Sequence, residues 1–228
     1  MSRAALKTKY PDLKGTIFIV TYGRSGSTIL QSLLQSIPDT HITGENNNVL
    51  ASLFQAGQSA SNTRQAWGKK EQPKTHPWYG ADKIKARRLE QRLTRVFIEE
   101  IIQPQKDVRW VGFKEIRYPQ LGKDLPKFLN FCNRSFPNPY FVFNSRDGKN
   151  VAKSKWWANK PENKVLSLVA DMDAAFTNYS SRHPENTFHA KYEDVIENPK
   201  CLQPLFQKLG EDFDLDLANK ILSKKLTH

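Results

Sequence analysis

The stretch that most restricts this chain is Thr16 to Leu34. It opens on Ile17-Phe18-Ile19-Val20, an apolar run long enough for a buried strand and too short for a helix. A polar turn follows, Tyr22-Gly23-Arg24-Ser25-Gly26-Ser27-Thr28. Then Ile29, Leu30, Leu33, Leu34 and Ile37 recur on one helical face until Pro38 stops the pattern. Strand, glycine turn and helix together make an anion cradle. The glycines let backbone N–H groups converge, and the helix N-terminus adds the positive end of its dipole. Arg24 adds a fixed charge, and Ser25, Ser27 and Thr28 add hydroxyls. The turn is not a Gly-x4-Gly-Lys-Ser/Thr loop, because no lysine precedes Ser27-Thr28. An ordinary glycine turn between strand and helix remains the alternative.

A chain of 228 residues is sized for one core, so a single domain over 1–228 is expected. The two cysteines, Cys132 and Cys201, make no disulfide framework, which points to a reducing compartment and a cytoplasmic protein. Residues 1–14 lack the apolar stretch of a signal peptide, and no run reaches membrane-spanning length. Lysine and arginine number 35 against 23 acidic residues. Such an excess suits nucleic acid, an anionic membrane face, or an acidic small ligand or polysaccharide.

Alternating elements continue along the chain. His41-Ile42-Thr43 reads as a short strand ending at Gly44-Glu45. A carboxylate there lies at the crevice where open α/β sheets bind ligands. Equally, Glu45 can start a helix whose apolar face is Val49, Leu50, Leu53 and Phe54. Residues 57–80 read as an irregular loop with Trp67, Trp78 and Tyr79, either an acceptor lid or a surface loop anchored by its aromatics. Asp82–Ile102 reads as a helix whose first half crowds Lys83, Lys85, Arg87, Arg88, Arg92 and Arg95. That face is either solvated or a docking surface for an anion. Val108–Ile116 is a strand running into Lys114-Glu115, either an ion pair or chemistry-bearing groups. Tyr140–Phe143 is a buried strand running into Arg146-Asp147, then a helix carrying Val151, Ala152, Ser154 and Trp156. A helix over Asn163–Arg182 and a strand over Thr187–Lys191 precede Tyr192-Glu193-Asp194 and Asn198-Pro199. The whole implies an α/β fold, a mostly parallel sheet with helices on both faces.

Three of these motifs, in this order, resemble the sulfotransferases that use PAPS (3′-phosphoadenosine 5′-phosphosulfate), nearest to the carbohydrate and bacterial members. The turn Gly23-Arg24-Ser25-Gly26-Ser27-Thr28 is similar to their 5′-phosphosulfate loop, with Arg24 where the cytosolic animal branch has lysine. Arg146 and Ser154, eight positions apart, match the pair that holds the 3′-phosphate. Tyr192-Glu193-Asp194 with Asn198-Pro199 matches a recurrent segment that closes the fold.

The resemblance implies sulfuryl transfer from PAPS, leaving the product PAP (adenosine 3′,5′-bisphosphate), to a hydroxyl or amine of a carbohydrate or small-molecule acceptor. It implies Glu45 as base by its place after the first helix, and Lys114 as the family lysine. Glu115 is a second base candidate, since Ile116 stands where the cytosolic branch has histidine. His76, in Lys74-Thr75-His76-Pro77, is a third. The branch's C-terminal Arg-Lys-Gly segment is missing, so other groups must help Arg146 and Ser154. No His/Cys cluster suggests a metal. A P-loop kinase and a basic nucleic-acid-binding module remain the rival readings, though the expected partners include no nucleic acid.

Overall fold

The computed structural model describes residue 6 and residues 8–224. Five strands form one parallel sheet: β1 (Gly15–Val20), β2 (Thr40–Thr43), β3 (Trp110–Glu115), β4 (Pro139–Ser145) and β5 (Thr187–Lys191). Their order is β2-β3-β1-β4-β5. β1 lies between β3 and β4, with Ile17 opposite Gly112 on one side and Tyr140 on the other. A parallel sheet covered on both faces needs unbroken apolar strands rather than alternation, and every residue of β1 is buried. Successive side chains point to opposite faces. Phe18 and Val20 enter one core with Phe113, Phe141 and Phe143, while Ile17 and Ile19 enter the other.

Helices cover both faces. α1 (Ser27–Leu34) lies on the Ile17 side through Leu30, Leu33 and Leu34. α2 (Val49–Trp67), α3 (Ala86–Val96), α4 (Leu125–Ser135), α5 (Gly148–Ala152) and α6 (Glu162–Arg182) follow. Of these, α2, α4 and α6 pack on the Phe18 side through Phe54, Phe128 and Phe176. α7 (Tyr192–Glu197), α8 (Gln203–Leu209) and α9 (Leu215–Ser223) complete the described chain. The helix after β1 goes to one face and the helices after β3 and β4 go to the other. That reversal opens a crevice at the carboxyl ends of these three strands.

Three local expectations need correction. The irregular segment begins later than residue 57, because α2 runs on to Trp67. Its polar second half contains no proline, and its buried positions stop at Gly57, so helical geometry persists after the apolar period has faded. The helix expected over 82–102 is a 3₁₀ turn (Ala81–Lys83), then α3, then a π-turn (Phe97–Ile102). The helix after β4 ends at Ala152. Ser154 precedes a 3₁₀ turn, Lys155–Trp157, instead of lying within a helix.

Candidate active site

The loop after β1 is fixed from below and from both sides. Thr21 Oγ1 lies 2.6 Å from Ser25 Oγ and donates to the Asn144 carbonyl at 2.7 Å. Ser25 is fully buried, so its hydroxyl ties the loop together beneath the surface. The buried Tyr22 hydroxyl accepts from the Arg146 amide at 3.0 Å and lies 3.3 Å from Asp173 Oδ1. Burial, against the Tyr22 hydrogen bond, raises the Asp173 carboxyl to about 6. The loops of β1 and β4 are thereby locked to each other and to α6.

Two backbone positions shape the turn. Arg24 has φ 69°, a left-handed conformation that costs a non-glycine residue and recurs at functional loops. Gly26 has φ 80°, and a Cβ there would lie 2.1 Å from the Tyr192 ring. The Tyr192-Glu193-Asp194 segment therefore packs on the loop.

The turn forms one wall of a cavity of about 570 Å³, within the usual range for ligand sites. Arg24, Gly26, Ser27, Thr28, Glu45, Lys114, Arg117, Arg146, Trp156, Tyr192 and Lys224 line it. The ends of all five strands or the segments that follow them thus converge, as the crevice requires. Arg146 stacks its guanidinium 4.2 Å over the Tyr192 ring. It donates to the Arg24 carbonyl at 3.1 Å, while its buried Nε has no partner. A guanidinium held this way has donors left for an anion.

Opposite the turn, β3 ends in a charged cluster. Lys114 Nζ lies 2.8 Å from Glu45 Oε1, and Arg117 Nη1 lies 3.0 Å from Glu45 Oε2. Partial burial pushes the Glu45 carboxyl up. Hydrogen bonds and charge from Lys114 and Arg117 outweigh it and hold the group below its usual range. Glu45 does not start α2: Asn48 occupies the cap position, and Asn46 Oδ1 accepts from the Val49 amide. Glu115 is fully buried. Its carboxylate accepts from the amides of Asn46, Asn48, Ile116 and Arg117 and from Arg117 Nη1. It fastens the Glu45 loop to the end of β3.

Of the candidates read from sequence, Arg24, Gly26, Ser27, Thr28, Glu45, Lys114 and Arg146 meet at this cavity. Gly23, Ser25, Glu115 and Ser154 lie behind or beside it. Gly23 carries the Trp156 ring and accepts from Trp157 Nε1 at 3.2 Å. His76 accepts from the Trp78 amide through Nδ1 in a loop outside the cavity lining. Arg117, Trp156, Tyr192 and Lys224 were not singled out as ligand-facing. Arg117 was legible only as a third charge after Lys114-Glu115. Among the described residues, no group of three His, Cys, Asp or Glu side chains could hold a metal ion. No helix there is long and apolar enough to cross a membrane.

Residues 16–214 match the family model described as "Sulfotransferase family". The chain belongs to the sulfotransferase family. Its fold is similar to two solved sulfotransferase domains. One is from the curacin biosynthetic pathway (17% identity, 90% of this chain and 77% of that one, TM-score 0.53). The other is from the olefin synthase of Synechococcus PCC 7002 (16% identity, 95% and 90%, TM-score 0.58). No curated protein matches the sequence. The family match spans the glycine turn, the Lys114-Glu115 strand end, Arg146 and the Tyr192 segment.

Proposed function

We propose that this sulfotransferase takes its sulfuryl group from PAPS and passes it to a hydroxyl or amine of a carbohydrate or small-molecule acceptor. The observation that carries this reading is the paired construction of the cavity. An anion cradle with Arg24 and Arg146 on one side faces an ionised carboxylate, Glu45, on the other. The orphaned Arg146 Nε and the Gly26 cradle, closed by the Tyr192 ring, fit a multiply charged nucleotide. When bound, PAPS supplies an activated sulfuryl group on a phosphate leaving group. Arg24 and the amides at the start of α1, with Ser27 and Thr28, would hold the 5′ end. Arg146 would hold the 3′-phosphate by charge-assisted hydrogen bonds. Lys224 and Tyr192, which also line the cavity, would assist Arg146 there. Ser154 lies outside the lining, so Arg146 carries the 3′-phosphate in this reading.

Sulfuryl transfer resembles phosphoryl transfer in depending on positioning and charge stabilisation more than on covalent catalysis. Arg24 stabilises charge on the leaving side, and Lys114 neutralises the group in transit. Glu45 takes the acceptor proton. It is preferred to Glu115 because it lines the cavity, whereas the fully buried Glu115 is occupied by four backbone amides and the Arg117 guanidinium. Free Cys132 and Cys201 support a reducing, cytoplasmic setting.

Calorimetry with PAP and with ATP, each with and without magnesium, tests the donor. PAP should bind tightly without magnesium and ATP weakly in either condition. Magnesium-dependent ATP binding without PAP binding would overturn the reading in favour of a kinase. Labelled PAPS offered with sugars, polysaccharides, phenols and amines then identifies the acceptor.

A further inference from the structure

The donor cavity accounts for little of the chain's charge. Residues 64–95 carry ten lysines and arginines against Glu71, Asp82 and Glu90, and none of the ten lines the cavity. Glu90 offsets little of that charge at the surface, being buried and bonded to Arg134. The same part of the chain concentrates exposed apolar surface. Among the described residues ten large apolar side chains are exposed, and Trp67, Trp78, Tyr79, Leu89, Val96 and Ile101 are six of them.

These side chains are held in place. Trp67, at the end of α2, stacks on Trp78 with ring centroids 5.2 Å apart. Lys83 Nζ sits 5.5 Å over the Tyr79 ring. α3 packs along α2 with Glu90 against Gly57. Glu90 and Thr94 mark the inner face of α3. Helical spacing puts Lys85, Arg88, Leu89, Arg92 and Val96 on the outer one. That outer stripe mixes guanidinium groups with uncovered aliphatic side chains.

We propose that the α2–α3 hairpin, from Trp67 to Val96, docks this enzyme on an anionic lipid bilayer. A bilayer surface takes these three features together. Tryptophan and tyrosine settle at headgroup depth, aliphatic side chains enter the acyl boundary, and lysine and arginine meet anionic headgroups. A nucleic acid fits less well. It has no use for exposed Leu89, Val96 and Ile101, and base stacking needs open ring faces. Trp67 and Trp78 lie 4° from parallel and cover one face of each other. α2 is 19 residues long, about 28 Å at 1.5 Å per residue. Its N-terminal end adjoins the Glu45 loop, so the hairpin tip stands well away from the donor cavity. The proposal thus goes beyond the donor and acceptor reading and stands apart from it.

Vesicle flotation of the whole protein tests it. Two lipids are used: phosphatidylcholine alone, and phosphatidylcholine with phosphatidylglycerol as about a third of the lipid. The protein should float only with the mixed vesicles and lose binding as salt rises. Each basic residue at an anionic surface is worth about fivefold in partitioning. K83E/R88E/R92E should therefore weaken binding at least about tenfold, and W67A/W78A should weaken it with charge unchanged. The control K106E/K200E/K220E, exposed residues elsewhere on the chain, should change it little. Far-UV circular dichroism and urea midpoints should match wild type in all three, which shows that they are folded. Equal flotation with both lipids would overturn the proposal. So would an equal loss in the control, or retention on duplex DNA without flotation.

Discussion

Arg117 bridges Glu45 and Glu115 with one guanidinium nitrogen, 3.0 Å from the first carboxylate and 3.1 Å from the second. The two acids play different parts on either side of it. Glu115 is spent on backbone amides within the wall. Glu45 is held at the cavity by side-chain cations alone.

That difference predicts opposite outcomes for the same substitution. Glu45→Gln keeps the shape and removes the proton acceptor. General-base loss typically costs about 10²–10⁴-fold in rate. Turnover should fall at least about a hundredfold while PAP affinity stays near wild type. Glu115→Gln replaces an acceptor-only carboxylate with an amide that must aim an NH₂ group at backbone N–H donors. It should cost about 1–3 kcal/mol of stability, the scale of unsatisfied buried hydrogen bonds. Urea unfolding beside steady-state kinetics separates the two. A stable Glu115→Gln that has lost its turnover, beside an active Glu45→Gln, would exchange their roles.

The pH profile reports on Arg117. In the proposed mechanism Glu45 must be ionised to accept a proton, so kcat/KM should fall as pH drops through its pKa in the free enzyme. Lys114 and Arg117 depress that pKa, so the acid limb should lie below the ordinary glutamate value near about 4.3. Arg117→Ala withdraws one cation, and the limb should move up. Arg117→Lys should move it less. A limb that stays put in Arg117→Ala means that another group sets it.

Much of this was legible in the sequence because each strand announces its own end. Ile17–Val20 and Tyr140–Phe143 are continuous apolar runs, which only a two-sided parallel sheet requires, and the residues just past them line the crevice. Position past a strand end marks Arg24 and Glu45 on that ground, whereas Lys114 and Arg146 acquire their roles from the family resemblance. What was not legible depends on contacts distant in sequence. Nothing in the local pattern says that Ser25 turns inward to Thr21, that Glu115 takes amides from residues 46 and 48, or that Tyr192 lies under Arg146. The length of α2 was missed for a different reason. Its outer half is exposed, so no apolar period marks it.

Arg146 allows a test of which phosphate it reads. Arg146→Ala should weaken PAP by about 1.5–3 kcal/mol, the scale of hydrogen bonds to charged groups. Adenosine 5′-phosphosulfate, which lacks the 3′-phosphate, should bind mutant and wild type nearly alike. Calorimetry with both ligands decides it. Equal losses in a folded mutant would mean that Arg146 supports the loop through the Arg24 carbonyl instead.

A final expectation concerns stability at the opposite end of the sheet. Glu211, just past α8, takes Lys14 Nζ at 2.7 Å, Arg109 Nη2 at 2.8 Å and Trp110 Nε1 at 2.8 Å. One carboxylate thus fastens the entry to β1 and the start of β3 to the C-terminal helices. Burial pushes its pKa up, but hydrogen bonds from Lys14 and Trp110 and the charges of Arg109 and Lys14 prevail and lower it. A depressed folded-state pKa adds stability that is complete above the unfolded value near about 4.3 and is lost as pH falls through the folded one. Glu211→Gln should therefore unfold more easily at neutral pH by about 2–3 kcal/mol, below the range for a fully buried pair because Lys14 and Arg109 are partly exposed. The gap between mutant and wild type should close as pH drops below about 4.3. Urea midpoints measured across that range check both statements, and a gap independent of pH would assign the loss to packing instead of charge.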